Sequence, residues 1–268
     1  MADAENAVPS TEKLTLAIDI GGSHLKSGIL NEAGEMVAGP VRVETPKPAK
    51  PAAVVEGLIG LAHQLGRFDR ISIGFPGVVR GAAVLTAPNL GTKDWHGFSL
   101  ADELSHHLGA PARMLNDATI QGLGVISGQG LECVLTMGTG MGFALFQHGL
   151  LTPHLEMSQH PVKTHKTYDQ YVGDAALKDV GRGHWNRRVR KVIGYMDTLA
   201  MYDMLYIGGG NARLIEGPLP DRVKVVSNEA GITGGVRLWD PRLDPAFAEH
   251  PAFAPISSPV PASADSGG

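Results

Sequence analysis

The sequence lacks the features that disulfide-stabilised, Cys-type zinc-binding, membrane-spanning and secreted proteins require. Its single cysteine, Cys133, rules out a disulfide framework and a zinc site built from several thiolates. Cys133 lies in the apolar run ECVLTMG, where a buried structural thiol is expected. No apolar run approaches the roughly 20 residues of a membrane-spanning helix. The first residues, MADAENAVPSTEK, lack the basic and apolar regions of a signal peptide, so a cytoplasmic location is predicted.

An excess of charge of one sign is also missing. The chain has 23 Lys and Arg residues against 27 Asp and Glu residues, which argues against nucleic acid as the main partner. Its 268 residues, 43% of them hydrophobic, suffice for one large domain or two lobes. The polar residues 1–13 and the Pro-, Ala- and Ser-rich residues 241–268 are predicted to be disordered tails.

The order of apolar runs and glycine clusters predicts an α/β fold. LTLAIDI is typical of a strand, Gly21 and Gly22 turn the chain, and HLKSGIL returns as a strand. The same order recurs at CVLTM, GTGMG and FALFQHG. Helices are predicted at PAAVVEGLIGLAHQL, SLADELSHHLG, DATIQGLGVIS and about residues 184–202. Such a repeat indicates two α/β lobes around a cleft, predicted at 14–117 and 118–240.

Three predicted strands end in glycine clusters, in DIGGS, MGTGMG and IGGGN. Glycine lets the backbone approach a ligand and point consecutive N–H groups at it, which suits phosphate. The alternative is that each cluster is only a tight turn. Neither a Walker A loop nor a G-x-G-x-x-G loop that opens a helix is present. The second absence argues against a dinucleotide-binding oxidoreductase.

The stretch PHLEMSQHP holds two histidines and a glutamate between two prolines. His154, Glu156 and His160 could be metal ligands, acid–base groups or hydrogen-bonding partners of a polar ligand. Pro161 biases residue 160 away from helical angles, which opposes a helical presentation of Glu156 and His160. No HExxH motif occurs, and no zinc site is expected.

Six motifs occur in the order found in sugar kinases of the ROK family (repressor, open reading frame, kinase): DIGGSHLKSGIL, GFPG, LNDA, MGTGMG, YIGGGN and NEAGITGG. The chain resembles that family over about residues 14–240, and its last motif and length resemble the polyphosphate glucokinase branch. The resemblance implies the two-lobed fold of the hexokinase–actin superfamily, an actin-like, ribonuclease H-like ATPase fold with a central interlobe cleft. It implies a hexose kinase that uses Mg²⁺ and takes ATP or polyphosphate as phosphoryl donor. Relatives are often dimers, which leaves a homodimer open.

The resemblance assigns the phosphoryl donor to the glycine turns. Asp19 would help to hold the magnesium–phosphate complex, through water. A carboxylate buried at a strand end needs such a cation or hydrogen-bond donors; capping its own glycine turn is the alternative. The donor-binding residues implied by the family are Asp19, Gly21, Gly22, Ser23, Lys26, Gly138, Thr139, Gly140, Gly208, Gly209 and Gly210.

The resemblance assigns the acceptor sugar to the second set of motifs. Asp117 would be the general base, because a hydroxyl group is a poor nucleophile at neutral pH and a nearby carboxylate can take its proton. The alternative role of Asp117 is a helix N-cap. The sugar-binding residues implied by the family are Asn89, Asn116, Asp117, Glu156, Gln159, His160 and Asp169.

The acceptor motif departs from the family pattern, which is Glu-x-Gly-His. Glu156 matches the glutamate, but the histidine position falls on Gln159, with His160 one place later. Asp169 matches a third sugar-binding glutamate and is one methylene shorter, and the Cys-rich zinc segment of many relatives is missing. A non-catalytic or regulatory sugar-binding protein therefore stays open. A DNA-binding repressor is disfavoured, since only about a dozen polar residues precede Leu14.

A basic segment, RGHWNRRVRK, places four cations around an apolar stripe of the long predicted helix: Arg187, Arg188, Arg190 and Lys191. A solvated helix face is one interpretation. The other is a track for a polyanionic donor such as polyphosphate.

Overall fold

A computed structural model describes residues 12–227 and 230–248. The strands are β1 (Thr15–Ile20), β2 (His24–Leu30), β3 (Met36–Glu44), β4 (Arg70–Phe75), β5 (Val79–Arg80), β6 (Ala83–Val84), β7 (Ala112–Asn116), β8 (Leu131–Met137), β9 (Met141–Gln147), β10 (Leu150–Leu151), β11 (Pro161–Lys163), β12 (Lys166–Thr167), β13 (Met204–Gly208) and β14 (Val223–Val225). The helices are α1 (Pro51–Leu65), α2 (Thr92–Trp95), α3 (Leu100–Leu108), α4 (Asp117–Leu123), α5 (Tyr168–Val172), α6 (Asp174–Ala200), α7 (Ala230–Thr233) and α8 (Asp244–Phe247). Short 3-10 helices lie at Ala212–Leu214, Gly234–Trp239 and Pro241–Leu243.

Two five-stranded sheets repeat one topology. Their strand orders are β3-β2-β1-β4-β7 and β10-β9-β8-β13-β14. In each sheet the central strand, β1 or β8, pairs antiparallel with the strand after its glycine turn and parallel with the strand on its other side. The repeat predicted from the sequence is therefore confirmed, and both glycine turns lie at the carboxyl ends of central strands.

Each sheet has its own core. Helix α1 buries Val54, Leu58 and Leu61 at helical spacing against the first sheet. Helix α6 buries Trp185 and Val189 in the second core, and the Trp185 indole donates to the Val172 carbonyl oxygen at 2.7 Å. Helix α6 begins ten residues before the predicted start. It consists of two helical segments with a kink at Gly181 (φ 72°), and the prediction covered only part of the second segment.

The chain passes between the two sheets twice, through α4 and through the segment that contains α7. The second passage returns to the first sheet, where the Ser72 hydroxyl donates to the Gly235 carbonyl oxygen at 2.7 Å. The Trp239 indole in turn donates to the Ser72 hydroxyl at 2.9 Å. Residues 230–240, which the sequence assigned to the second lobe, therefore contact β1 and β4 of the first sheet.

The segment after residue 240 is also ordered against the first sheet. Arg113 of β7 forms an ion pair of 2.8 Å with Asp244 and stacks on the rings of Trp239 and Phe247, while Leu243 is buried. The prediction of disorder is wrong for Pro241–Phe247. Composition alone cannot show that the side chains of Leu243 and Phe247 pack against the rest of the protein near β7. The rest of the two predicted tails, residues 1–11 and 249–268, lies outside the described residues. Within the described residues, no helix combines the length and apolar character needed to cross a bilayer.

Candidate functional site

A cavity of about 760 Å³ lies between the two sheets, at the carboxyl ends of their central strands. The sequence-predicted residues that line it are Asp19, Gly21, Gly22, Lys26, Asn89, Asn116, Asp117, Gly138, Thr139, Gly140, Glu156, Asp169, Gly209 and Gly210. The predicted residues outside its lining are Ser23, Gln159, His160 and Gly208. One cavity thus brings together both predicted ligand sites, which lie far apart along the chain.

The first glycine turn joins a carboxylate and an ammonium group. Asp19 and Lys26 are cross-strand neighbours on β1 and β2, and Lys26 Nζ lies 3.1 Å from Asp19 Oδ2. The Gly21 amide donates to the His24 carbonyl oxygen at 2.9 Å, which closes the turn. In the described part of the chain, the amide hydrogens of Gly22 and Ser23 have no protein acceptor.

The second glycine turn leaves a similar pair of amides open. The Gly138 amide donates to the Gly140 carbonyl oxygen at 3.0 Å, and the Met141 amide donates to Asp169 Oδ1 at 2.7 Å. Among the described residues, the amide hydrogens of Thr139 and Gly140 have no acceptor. Of these four residues with open amides, Gly22, Thr139 and Gly140 line the cavity, an arrangement that suits an anion.

The third glycine cluster packs on the second turn. Gly209 has a φ of 87°, and a Cβ there would lie 2.4 Å from the Met137 carbonyl oxygen. The Asn211 side chain donates to the Gly138 carbonyl oxygen at 3.3 Å and to Asp174 Oδ1 at 2.5 Å. Gly209 and Gly210 reach the cavity, while Gly208 ends β13 and lies behind them.

Asp117 follows β7 and begins α4, but it is not the helix cap. Asn116 is the N-cap: its Oδ1 accepts hydrogen bonds from the amides of Ala118 and Thr119, at 3.0 and 3.3 Å. The Asn116 amide group donates to the Gly77 carbonyl oxygen at 3.1 Å. Both ends of Asn116, predicted to bind a sugar hydroxyl, are therefore engaged with protein groups, although the side chain lines the cavity.

The electrostatic surroundings of Asp117 favour its protonated form. Burial and the negative charge of Asp19 raise the pKa of Asp117 to about 7. The Ala118 amide, 2.7 Å from Asp117 Oδ1, opposes the rise. Glu156 adds to it and His154 acts against it. A carboxyl group that titrates near neutral pH can both accept and release a proton under ordinary conditions.

The stretch PHLEMSQHP presents alternate side chains to the cavity. His154, Glu156 and Ser158 line it, whereas Leu155 is exposed, as expected of an extended backbone. Burial acts to raise the pKa of Glu156, but His154 and a hydrogen bond from the Ser158 hydroxyl outweigh it, so that this pKa is lowered. His154 Nε2 lies 3.5 Å from Glu156 Oε2 and is buried without a hydrogen-bond partner among the described residues.

Gln159 and His160 do not line the cavity. Gln159 Nε2 donates to Asp169 Oδ2 at 3.0 Å, and the His160 ring packs on Tyr168 with 6.2 Å between ring centroids. Their predicted sugar-binding roles stay predictions. Within the described residues, no three His, Cys, Asp or Glu side chains are grouped to hold a metal ion.

The sequence analysis did not identify His154 as part of a sugar pocket. The signal was available: in an extended segment, residues two apart share a face, so an inward-facing Glu156 implies an inward-facing His154. The motif comparison drew attention to the residues after Glu156 instead. Other lining residues that the sequence did not single out are Met36, Pro40, Gln121, Thr136, Ser227, Ile232 and Thr233.

Known proteins are similar to this chain in sequence and in fold. The sequence model described as "ROK family" matches residues 15–153. A polyphosphate glucokinase of Mycobacterium tuberculosis is 29% identical over 247 residues, which cover 86% of this chain and 93% of the relative. A polyphosphate glucokinase of Mycobacterium leprae is 30% identical over 235 residues, which cover 81% and 72%.

Solved structures agree with the fold. The crystal structure of an inorganic polyphosphate/ATP-glucomannokinase from Arthrobacter sp. strain KM superposes with a TM-score of 0.76 and 25% identity, covering 84% of this chain and 97% of that one. A ROK family glucokinase from Streptomyces griseus, in complex with glucose and AMPPNP, has a TM-score of 0.66 at 19% identity over 84% and 98% of the two chains. These similarities confirm the predicted two-lobed, actin-like α/β fold with a central cleft.

Proposed function

The chain belongs to the ROK family, and we propose that it is a hexose kinase that transfers a phosphoryl group from ATP or polyphosphate to the 6-hydroxyl group of a hexose such as glucose. The observation that carries this proposal is the position of Asp117. Its carboxyl group, with a pKa of about 7, borders the same cavity as two glycine turns with open amides. The named relatives are polyphosphate glucokinases, and a structural neighbour is named a polyphosphate/ATP-glucomannokinase.

Asp117 is the proposed general base. As the hexose oxygen forms a bond to the terminal phosphorus, the bond from that phosphorus to the bridging oxygen of the donor breaks, and the hydroxyl proton moves to the Asp117 carboxylate. Glu156, Asn89 and Asp169 border the same cavity and supply polar atoms for the other hydroxyl groups. Asn116 would contribute mainly by holding the start of α4, since both ends of its side chain bind protein groups.

The phosphates are proposed to bind between the two glycine turns. The open amides of Gly22 on one side and of Thr139 and Gly140 on the other belong to residues that line the cavity and are suited to bind phosphate oxygens. The open amide of Ser23 is next to Gly22 along the chain, just outside the lining. Lys26 adds a positive charge at the first turn. This arrangement uses backbone amides on two different lobes, so that donor binding also fixes the distance between them.

The cavity needs a cation if a polyphosphorylated donor is to enter. Asp19, Asp117, Glu156 and Asp169 line it against one lysine, Lys26. Mg²⁺ keeps several waters and binds through one or two carboxylates together with substrate phosphates, and Asp19 with its partly exposed carboxylate fits that requirement. When bound there, Mg²⁺ would neutralise charge on the transferring phosphates.

A phosphorylation screen tests the proposed function. Glucose, mannose and N-acylated hexosamines are each offered with Mg²⁺–ATP and with Mg²⁺–polyphosphate, and sugar phosphate is measured. Turnover of at least one hexose is expected. Binding of a hexose without any turnover would contradict the proposal and favour the regulatory, non-catalytic alternative. Cytoplasmic location, a homodimer and the absence of a nucleic-acid or membrane partner stay predictions.

His154, rather than His160, is expected to support hexose binding. Replacing His154 with alanine removes a mostly buried ring whose Nε2 atom has no hydrogen-bond partner among the described residues and can bind a hexose hydroxyl. The KM for the hexose should rise about 10-fold, the upper range for one neutral hydrogen bond. The matched variant His160→Ala should leave the KM within about twofold, since its ring packs on Tyr168 and lies outside the cavity lining. Steady-state kinetics on both variants checks this. A larger rise in KM for His160→Ala than for His154→Ala would contradict this prediction and favour His160 as the sugar-binding histidine.

The donor preference can be tested on helix α6. Arg188 and Arg190 donate to the carbonyl oxygens of Tyr171 and Glu216. Arg187 and Lys191 are exposed and lie one turn apart, with no hydrogen bond or ion pair in the part of the chain that the structure describes. Neutralising both with Arg187→Gln and Lys191→Gln is expected to raise the KM for polyphosphate about fivefold at low salt, and the KM for ATP by less than about twofold.

The control for the donor prediction is a pair of exposed lysines outside α6. Lys163 and Lys166 lie on the hairpin of β11 and β12, and changing both to glutamine removes the same charge elsewhere. Initial rates over a range of salt concentrations separate charge attraction from other effects. Equal losses with ATP and polyphosphate would show that the basic residues of α6 form an ordinary solvated face.

A further inference from the structure

A continuous series of hydrogen bonds joins the acceptor segment to the donor turn. The Ser158 hydroxyl donates to Glu156 Oε1. Gln159 Nε2 donates to Ser158 Oγ at 3.2 Å and to Asp169 Oδ2 at 3.0 Å. Asp169 Oδ1 then accepts the Met141 amide at 2.7 Å. We call these five residues the clasp; it links Glu156, at the proposed hexose site, to the turn that carries the open amides of Thr139 and Gly140.

The amide nitrogen of Gln159 is fully engaged within the clasp. It carries two hydrogens, and both have acceptors, Ser158 Oγ and Asp169 Oδ2. The side chain does not line the cavity. We therefore expect the loss of these two donors to affect ligand binding through Ser158 and Asp169.

Asp169 is held closely against the donor turn. A Cβ on Gly140 would lie 2.3 Å from Asp169 Oδ1, so that only glycine at this position leaves room for the carboxylate. The Asp169 amide donates to the Ser158 carbonyl oxygen at 3.1 Å, which ties the start of α5 to the acceptor segment by a second route. Both oxygens of Asp169 are occupied, so a displacement of the acceptor segment must displace the donor turn or break a hydrogen bond.

We propose that the clasp couples the two substrates: hexose binding at Glu156 increases the affinity of the donor turn for the phosphoryl donor, with Gln159 and Asp169 as positioning residues. The proposal rests on the proposed hexose kinase function. By thermodynamic linkage the donor must increase hexose affinity by the same factor. The clasp supplies the physical connection, because Glu156 at one end and Met141 at the other both line the cavity.

The coupling factor is measured from initial rates over a grid of glucose and donor concentrations, using whichever of ATP and polyphosphate supports turnover. In the wild type, saturating glucose is expected to lower the dissociation constant of the donor on the order of 10-fold. Gln159→Met keeps the length of the side chain but removes both hydrogen-bond donors, and should reduce the factor below about twofold. Gln129→Met, at an exposed position away from the cavity, is the matched control and should keep the wild-type factor.

A second substitution tests the hydrogen bond between Gln159 and Asp169. Asp169→Asn can still accept the Met141 amide but turns its own amide group towards that of Gln159, and should lose the coupling. The clasp is refuted by an unchanged factor in Gln159→Met or in Asp169→Asn, or by a wild type without coupling. If the wild type phosphorylates no hexose, both the proposed function and the clasp are refuted. If the wild type phosphorylates a hexose and Gln159→Met keeps the wild-type coupling factor, only the clasp is refuted.

Discussion

Replacing Asp117 with asparagine is expected to lower kcat for hexose phosphorylation about 10³-fold, within the range typical of a lost general base. Asparagine has nearly the same shape and can still accept the Ala118 amide, which lies 2.7 Å from Asp117 Oδ1. Its amide cannot take the proton of the attacking hydroxyl group. The affinity for the hexose, measured by calorimetry, should therefore stay within about threefold of wild type.

The pH profile gives the same prediction a second readout. Burial and the charge of Asp19 raise the pKa of Asp117 to about 7, and only the deprotonated carboxylate can act as base. The value of kcat/KM should therefore fall about tenfold per pH unit as the pH drops below 7, because one proton is taken up. Glu156 contributes to the raised pKa of Asp117; Glu156→Gln should move the acid limb to lower pH, even though it also weakens hexose binding.

Two results would contradict the role of Asp117. The first is an Asp117→Asn enzyme with kcat within about tenfold of wild type. The second is a wild-type kcat/KM that stays constant from pH 8 down to about pH 5. At about pH 5 a carboxyl group with a pKa of about 7 is almost fully protonated and cannot act as a base. Asp102→Asn, at an exposed position in the first turn of α3, serves as the control for a removed carboxylate that touches neither ligand site.

The elements that carry the glycine turns could be predicted from sequence because their signals are local. An apolar run followed by a glycine cluster predicts a strand and then a turn, and β1 and β8, followed by Gly21-Gly22 and by Gly138-Thr139-Gly140, agree with this prediction. Helix α1 has the predicted bounds, Pro51–Leu65, since its apolar residues recur at helical spacing. The duplicated strand order then follows from two similar local patterns.

Contacts between distant parts of the chain could not be predicted from the sequence. Residues 241–247 look like a disordered tail by composition, yet Arg113 of β7 holds them through Asp244 and Phe247. The sequence left an N-cap as the alternative role of Asp117, because no local pattern separates two neighbouring capping residues; in the structure Asn116 is the N-cap. In PHLEMSQHP the family motif drew attention to Gln159 and His160, whose sugar-binding roles stay predictions, while the structure places His154 beside Glu156 in the cavity lining.

Glu132→Ala is expected to lower the free energy of unfolding by about 3 kcal/mol or more. Glu132 is fully buried in β8. Its carboxylate accepts hydrogen bonds from the amides of Ser127, Gly128 and Gln129, at 2.7, 2.7 and 3.2 Å, and from the hydroxyls of Ser127 and Tyr206, at 2.9 and 3.0 Å. Burial and this bond to Glu132 raise the pKa of Tyr206, which keeps its hydroxyl a donor. Alanine would leave these buried or partly buried donors without an acceptor.

Chemical denaturation of Glu132→Ala beside Glu56→Ala measures the effect. Glu56 is exposed on α1, and its loss should change stability by less than about 0.5 kcal/mol. Glu132→Gln should lie between the two, because its oxygen can still accept while its amide group faces two backbone donors. A loss below about 1 kcal/mol in Glu132→Ala would show that the loop re-forms around water. The loop at residues 127–130 connects α4, which begins at Asp117, to β8, which ends at the second glycine turn, so this buried carboxylate fixes the connection between the proposed base and the proposed donor site.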